Sequence, residues 1–122
     1  ASILEARKRQ LGSENEWYSF KIPEYPLLKD LDPVTQSAGQ LHYINKAVTQ
    51  GMATVEESRK LVVQYEDFCR DPRQVFNQMV NKPGIGEGDK TYYGPEQFRL
   101  TRNTDLPNRV LIEKALSEFE SQ

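Results

Sequence analysis

Only one stretch of this chain reads as a β-strand, and that singleness limits the fold more than any other feature. Lys60-Leu61-Val62-Val63-Gln64-Tyr65 is a continuous β-branched and aromatic run, the pattern of a buried strand. A buried strand carries backbone N–H and C=O groups along both edges, and each needs a partner. No second run of this kind occurs in the 122 residues. The strand over 60–65 is therefore expected to pair with a second copy of the chain, or with a part of the protein outside this sequence.

The remaining patterns are helical. Ile3, Leu4 and Leu11, with Arg7, Lys8 and Arg9 between them, predict a short amphipathic helix stopped by Gly12. Residues 13–33 hold Trp17, Tyr18, Phe20 and Tyr25 among Pro23, Pro26 and Pro33, which predicts an irregular, packed loop. Val34, Ala38, Leu41, Ile44 and Val48 recur at spacings of three and four, predicting a helix over 34–50 ended by Gly51. Gly39 falls inside that helix, where glycine either weakens it or admits a close neighbour. Asp71-Pro72-Arg73-Gln74 is a helix start, with Asp at the cap, Pro at the first position and Gln at the third. Its apolar face would be Val75, Phe76, Met79 and Val80, and Pro83-Gly84 would stop it. Residues 84–97 read as a loop. Asp105-Leu106-Pro107 should open a last helix with Leu111, Ile112, Ala115, Leu116 and Phe119 inward. The expected product is a mostly α-helical chain with one strand, a single partial domain over 1–122.

Composition removes several function classes. Sixteen Lys and Arg against eighteen Asp and Glu give a net charge of −2, without the basic excess of a nucleic-acid module. No apolar run approaches the roughly 18–20 residues of a membrane-crossing helix. Cys69 is the one cysteine, so no intrachain disulfide can form, and a reducing, cytoplasmic setting is expected. The chain opens as Ala1-Ser2-Ile3-Leu4, already within a helical pattern and without methionine, so either removal of residues before Ala1 or, with more weight, a piece of a longer protein is expected.

The segment Leu61-Val62-Val63-Gln64-Tyr65-Glu66-Asp67-Phe68-Cys69-Arg70-Asp71-Pro72 resembles a strand–turn–helix of sulfotransferases that use 3′-phosphoadenosine 5′-phosphosulfate. Their pattern is an apolar strand, Tyr-Glu-Asp-Leu, a short spacer, and Asp-Pro opening a helix. Phe68 stands here where Leu is usual. Ser2-Ile3-Leu4-Glu5-Ala6-Arg7 is similar to the family helix whose serine grips the cofactor's 3′-phosphate. Glu16-Trp17-Tyr18-Ser19-Phe20-Lys21-Ile22-Pro23 is similar to the aromatic loop that follows it in bacterial members. The resemblance covers about residues 1–82 and implies α/β ancestry, a partial P-loop-like sulfotransferase fold. It also implies a 3′-phosphate grip from Ser2, and from Arg99 and Arg102 in a late basic loop. Tyr65, Glu66, Asp67, Asp71 and Pro72 would form a structural corner. Trp17, Tyr18 and Phe20 would wall the acceptor site.

The sequence lacks the family's Gly-rich 5′-phosphosulfate loop ending in Lys or Arg before Ser or Thr. The arginine partnering the serine and the general base would likewise lie before Ala1, so no catalytic residue is assigned. No metal set is assigned either. Glu66 and Asp67 are adjacent and point apart, with no His or Cys to complete a coordination shell. Arg7, Lys8 and Arg9 could meet a phosphate or sulfate, or simply form a solvated helix face. His42, the only histidine, is expected to be a partly buried structural residue, and Cys69 a thiol without a catalytic partner.

Two functions of different class lead, ahead of a third, small-molecule binding through the aromatic loop. One is sulfuryl transfer from 3′-phosphoadenosine 5′-phosphosulfate to a hydroxyl or amine in the intact protein, this portion being inactive alone. The other is a truncated, non-catalytic oligomerisation or binding module, a homodimer through the strand.

Overall fold

The computed structural model describes residues 3–19, 21–100 and 108–122. Among them the chain forms α1 (Ile3–Leu11), α2 (Tyr25–Leu28), α3 (Pro33–Ala53), α4 (Tyr65–Arg70), α5 (Pro72–Val80) and α6 (Arg109–Glu120), with a 3₁₀ turn at Glu57–Arg59. The described residues are thus mostly helical, and none of them forms a strand. No helix among them is long and apolar enough to cross a membrane. The chain divides into two compact units, Ala1–Gln50 with Asn103–Gln122, and Gly51–Arg102.

The first unit is built around the N-terminal half of α3. Asp32 starts this helix, its carboxylate accepting from the Thr35 N–H at 3.0 Å and from the Thr35 hydroxyl at 2.5 Å, with Pro33 next in the chain. That is the same Asp-Pro signal as at Asp71, and it places the start at Pro33. Gln36, Ser37, Ala38, Gly39 and Gln40 are all buried, so this half is enclosed on every side. The apolar stripe is not the buried face throughout, because Leu41 and Val48 are exposed. Gly51 does not end the helix, which runs on to Ala53, where the Thr54 N–H and hydroxyl both donate to the Gly51 carbonyl. Gly12 does stop α1, with φ of +74° and its N–H on the Lys8 carbonyl at 3.0 Å.

Leu4 of α1, Ile22, Leu28 of α2, Ala38 of α3 and Ala115 of α6 make the buried apolar core of this unit. Gly39 is where α3 admits its neighbours. A Cβ there would lie 2.6 Å from Leu28 Cδ2 and 2.9 Å from Phe119 Cζ. Phe119 also stacks on His42 at 5.7 Å between ring centres, so the histidine is a half-buried packing residue. Of the expected inner side of α6, Leu111 is exposed and Ala115 is buried. Asp105-Leu106-Pro107 lies outside the described residues.

In the second unit, α4 and α5 meet at a sharp corner. Asp71 caps α5, its Oδ1 accepting from the Gln74 N–H at 3.1 Å, and Pro72 follows as the first helical residue. Phe98 N–H donates to the Cys69 carbonyl at 2.8 Å and its ring stacks on Phe68, tying the long loop back onto α4. Tyr92 packs on Phe76 and lies under the Arg73 guanidinium. Cys69, Pro72 and Val75 are buried, whereas Met79 is half exposed.

The strand expected over 60–65 is not formed. Lys60 and Gln64 are extended, but no ladder is made, and Tyr65 is already the first residue of α4. The reason is the one that constrained the sequence: a strand exists only through a partner's hydrogen bonds, and no other described segment forms a strand beside this one. Val62 is left 72% exposed.

Candidate functional site

The structure separates the expected site residues into groups. Ser2, Phe20 and Arg102 lie outside the described residues. Arg99 is exposed, beside Phe98 in the second unit. Tyr65, Glu66, Asp67, Asp71 and Pro72 are brought together at the α4–α5 corner. Tyr65, Glu66 and Asp67 face solvent, Asp67 pairs with Arg70, Asp71 caps, and Pro72 is buried. A cap and an exposed ion pair are structural tasks. Among the described residues no group of His, Cys, Asp and Glu is placed to hold a metal ion.

Trp17 and Tyr18 are half-buried in the first unit. Trp17 meets Tyr25 edge-on, with ring centres 4.9 Å apart and planes at 88°. The Tyr18 carbonyl accepts from Gln40 Nε2 at 3.3 Å. Lys21 lies over the Tyr25 ring at 4.6 Å.

Beneath this aromatic group lies a residue whose role the sequence did not disclose. Arg7 is 0% exposed. Its Nη1 donates to the Glu14 carbonyl at 3.0 Å and to Gln36 Oε1 at 2.8 Å, and its guanidinium carbon sits 5.4 Å from the Trp17 ring centre. Gln36 in turn donates to the Lys29 carbonyl at 2.9 Å, which locks its amide so that the oxygen faces the arginine. The Arg7 Nε and Nη2 and the Gln40 Oε1 are buried without a hydrogen-bond partner. No acidic side chain among the described residues forms an ion pair with Arg7. Burial pulls its guanidinium below the ordinary arginine value.

The solvated-face reading thus holds for Lys8 and Arg9, which are exposed, and fails for Arg7. Lys8 pairs with Glu14 at 2.8 Å, and that hydrogen bond with its attached charge raises the lysine above its ordinary value. A signal for Arg7 was present: it stands three residues after Leu4 and four before Leu11, on the same helical stripe.

No protein-family model matches the chain, and comparison with curated proteins and with solved structures finds no match either.

Proposed function

We propose that this chain is a portion of a sulfotransferase-type protein of α/β ancestry. In the intact protein a sulfuryl group would pass from 3′-phosphoadenosine 5′-phosphosulfate to a hydroxyl or amine acceptor. The observation that carries the reading is the order of local structure from Lys60 to Val80. An extended, unpaired apolar run leads straight into a helix at Tyr65-Glu66-Asp67-Phe68, and Asp71 then caps the helix opened by Pro72. The helix start at Asp71-Pro72 falls where the sequence resemblance places one, whereas the strand it calls for over 60–65 is not formed. The run 60–65 would become a strand when an N-terminal half, or a second copy, supplies the sheet.

Ser2, Arg99 and Arg102 would contact the 3′-phosphate, arginine being suited to it through its two-pronged fork. Trp17, Tyr18 and Phe20 would line the acceptor wall. The described residues do not by themselves fit the whole donor. Arg99 is a lone exposed guanidinium, and no Gly-rich cradle for the 5′-phosphosulfate occurs in the sequence. Without that cradle this chain is expected to be inactive alone. A single buried thiol suits a reducing compartment, so we place the protein in the cytoplasm.

The test is a calorimetric titration of the chain with adenosine 3′,5′-bisphosphate at low salt, against AMP. Selective heat for the 3′-phosphorylated nucleotide supports the reading. No heat from a folded chain leaves the second reading, a non-catalytic oligomerisation module. That one is favoured by Val62 and Val63, exposed on backbone with no ladder. It requires a mass that rises with concentration towards twice 14.1 kDa and a Val62→Lys variant that stays at the monomer mass.

A further inference from the structure

The buried polar cluster around Arg7 is incomplete in a specific way. Nη1 spends both its protons on Glu14 and Gln36, so the unpartnered Nε and Nη2 form one whole edge of the guanidinium. That edge offers two parallel N–H donors, the geometry that a carboxylate accepts with both oxygens. The cluster has an orphan acceptor as well, Gln40 Oε1. Gln36 and Gln40 stand one turn apart on α3, so their Cβ atoms are about 5–6 Å from each other. Trp17 lies over Arg7, and the Tyr18 carbonyl accepts from the Gln40 amide nitrogen, which leaves the amide oxygen as that side chain's unpartnered atom.

Charge narrows the occupant. A buried cation without a counter-ion is strongly disfavoured, and a monoanion cancels it where a dianion would leave a net buried charge. The acceptor on Gln40 asks in addition for a donor on the same ligand. We propose that this cluster binds a small hydroxycarboxylate, its two carboxylate oxygens on the Nε–Nη2 edge of Arg7 and its hydroxyl donating to Gln40 Oε1. The orphan atoms are closed to solvent, so entry requires the segment over residues 13–19, which carries the Glu14 carbonyl and the Trp17 ring, to lift. The proposal rests on this geometry and is independent of the sulfotransferase reading.

Trp17 is the only tryptophan and lies over the site, so its emission reports occupancy directly. The chain is titrated with glycolate, lactate, acetate, phosphate and chloride at one ionic strength. Glycolate and lactate should give saturable changes, about tenfold tighter than acetate for one added hydrogen bond to a buried acceptor. Phosphate and chloride should give none. Gln40→Met should bring glycolate down to the level of acetate, and Arg7→Lys should weaken both by at least tenfold. The proposal is overturned if no carboxylate changes the emission of the folded wild-type chain, as when internal water satisfies the orphans. An equal response to phosphate or chloride, or unchanged glycolate binding in folded Arg7→Lys, overturns it too.

Discussion

Alanine placed at two glycines of α3 should move stability in opposite directions. Any Gly→Ala change inside a helix gains up to about 1 kcal/mol, because alanine loses less backbone freedom on folding. At Gly51 nothing lies within 4 Å of the added methyl, so the gain should appear undiminished. At Gly39 the methyl would meet Leu28 Cδ2 at 2.6 Å, Phe119 Cζ at 2.9 Å and Leu28 Cδ1 at 3.1 Å. Leu28 is 1% exposed and has no room to turn away, while Phe119 is held against His42 and Tyr43. Overpacking of this kind costs about 1–3 kcal/mol, which exceeds the helical gain and leaves Gly39→Ala less stable by about 1 kcal/mol. The two variants should therefore differ by about 2 kcal/mol, or about 1 M in the midpoint of urea unfolding followed by helical circular dichroism. If Gly39→Ala proves as stable as Gly51→Ala, the close packing of Leu28 and Phe119 on α3 is wrong.

Other expectations follow from single contacts. Asp71→Ala removes the carboxylate that accepts from the Gln74 N–H, and should lower the urea midpoint by the equivalent of about 1 kcal/mol, while Asp71→Asn should retain most of that stability. The Thr35 hydroxyl and N–H hold Asp32 below the usual carboxylate range, so its contribution is complete above that range and is lost as pH falls below it. In acid titrations Asp32→Asn, which caps without ionising, should lose less stability than the wild type over that window, and equal losses would remove Asp32 as a cause. Cys69 is buried, and a thiol-specific reagent should label it slowly in buffer and at once in denaturant; immediate labelling in buffer would contradict its burial.

Much of the local structure was legible because its causes are local. The stop at Gly12 and the start at Asp71-Pro72 each depend on one residue's conformation or one side-chain hydrogen bond, and both stand as the sequence indicated. Asp32-Pro33 carries the same start signal as Asp71-Pro72, yet the apolar spacing begins only at Val34 and masks it. Gly51 misled because glycine ends a helix only when φ turns positive, and among the described glycines that occurs at Gly12 and Gly84. The run 60–65 was legible as a strand sequence, but strand formation depends on a partner that no local pattern contains. Arg7 was hidden by the rule that charges face water. Its place on the stripe one turn after buried Leu4 pointed inward, and the hydrogen bonds that make burial tolerable come from the Glu14 carbonyl just past the helix and from Gln36, 29 residues on.

The extended run beside α4 also bears on how the chain avoids stacking on copies of itself. Leu61, Val62 and Val63 are apolar, rich in β-branched residues, free of proline and partly open to solvent, the composition from which cross-β stacking starts. Charges bracket them closely, Lys60 on one side and Glu66 with Asp67 on the other. Such flanking charges act as gatekeepers, setting like against like whenever identical segments stack in register. The bracket opposes in-register stacking of this run, and its acidic half, Glu66 and Asp67, is also the first turn of α4.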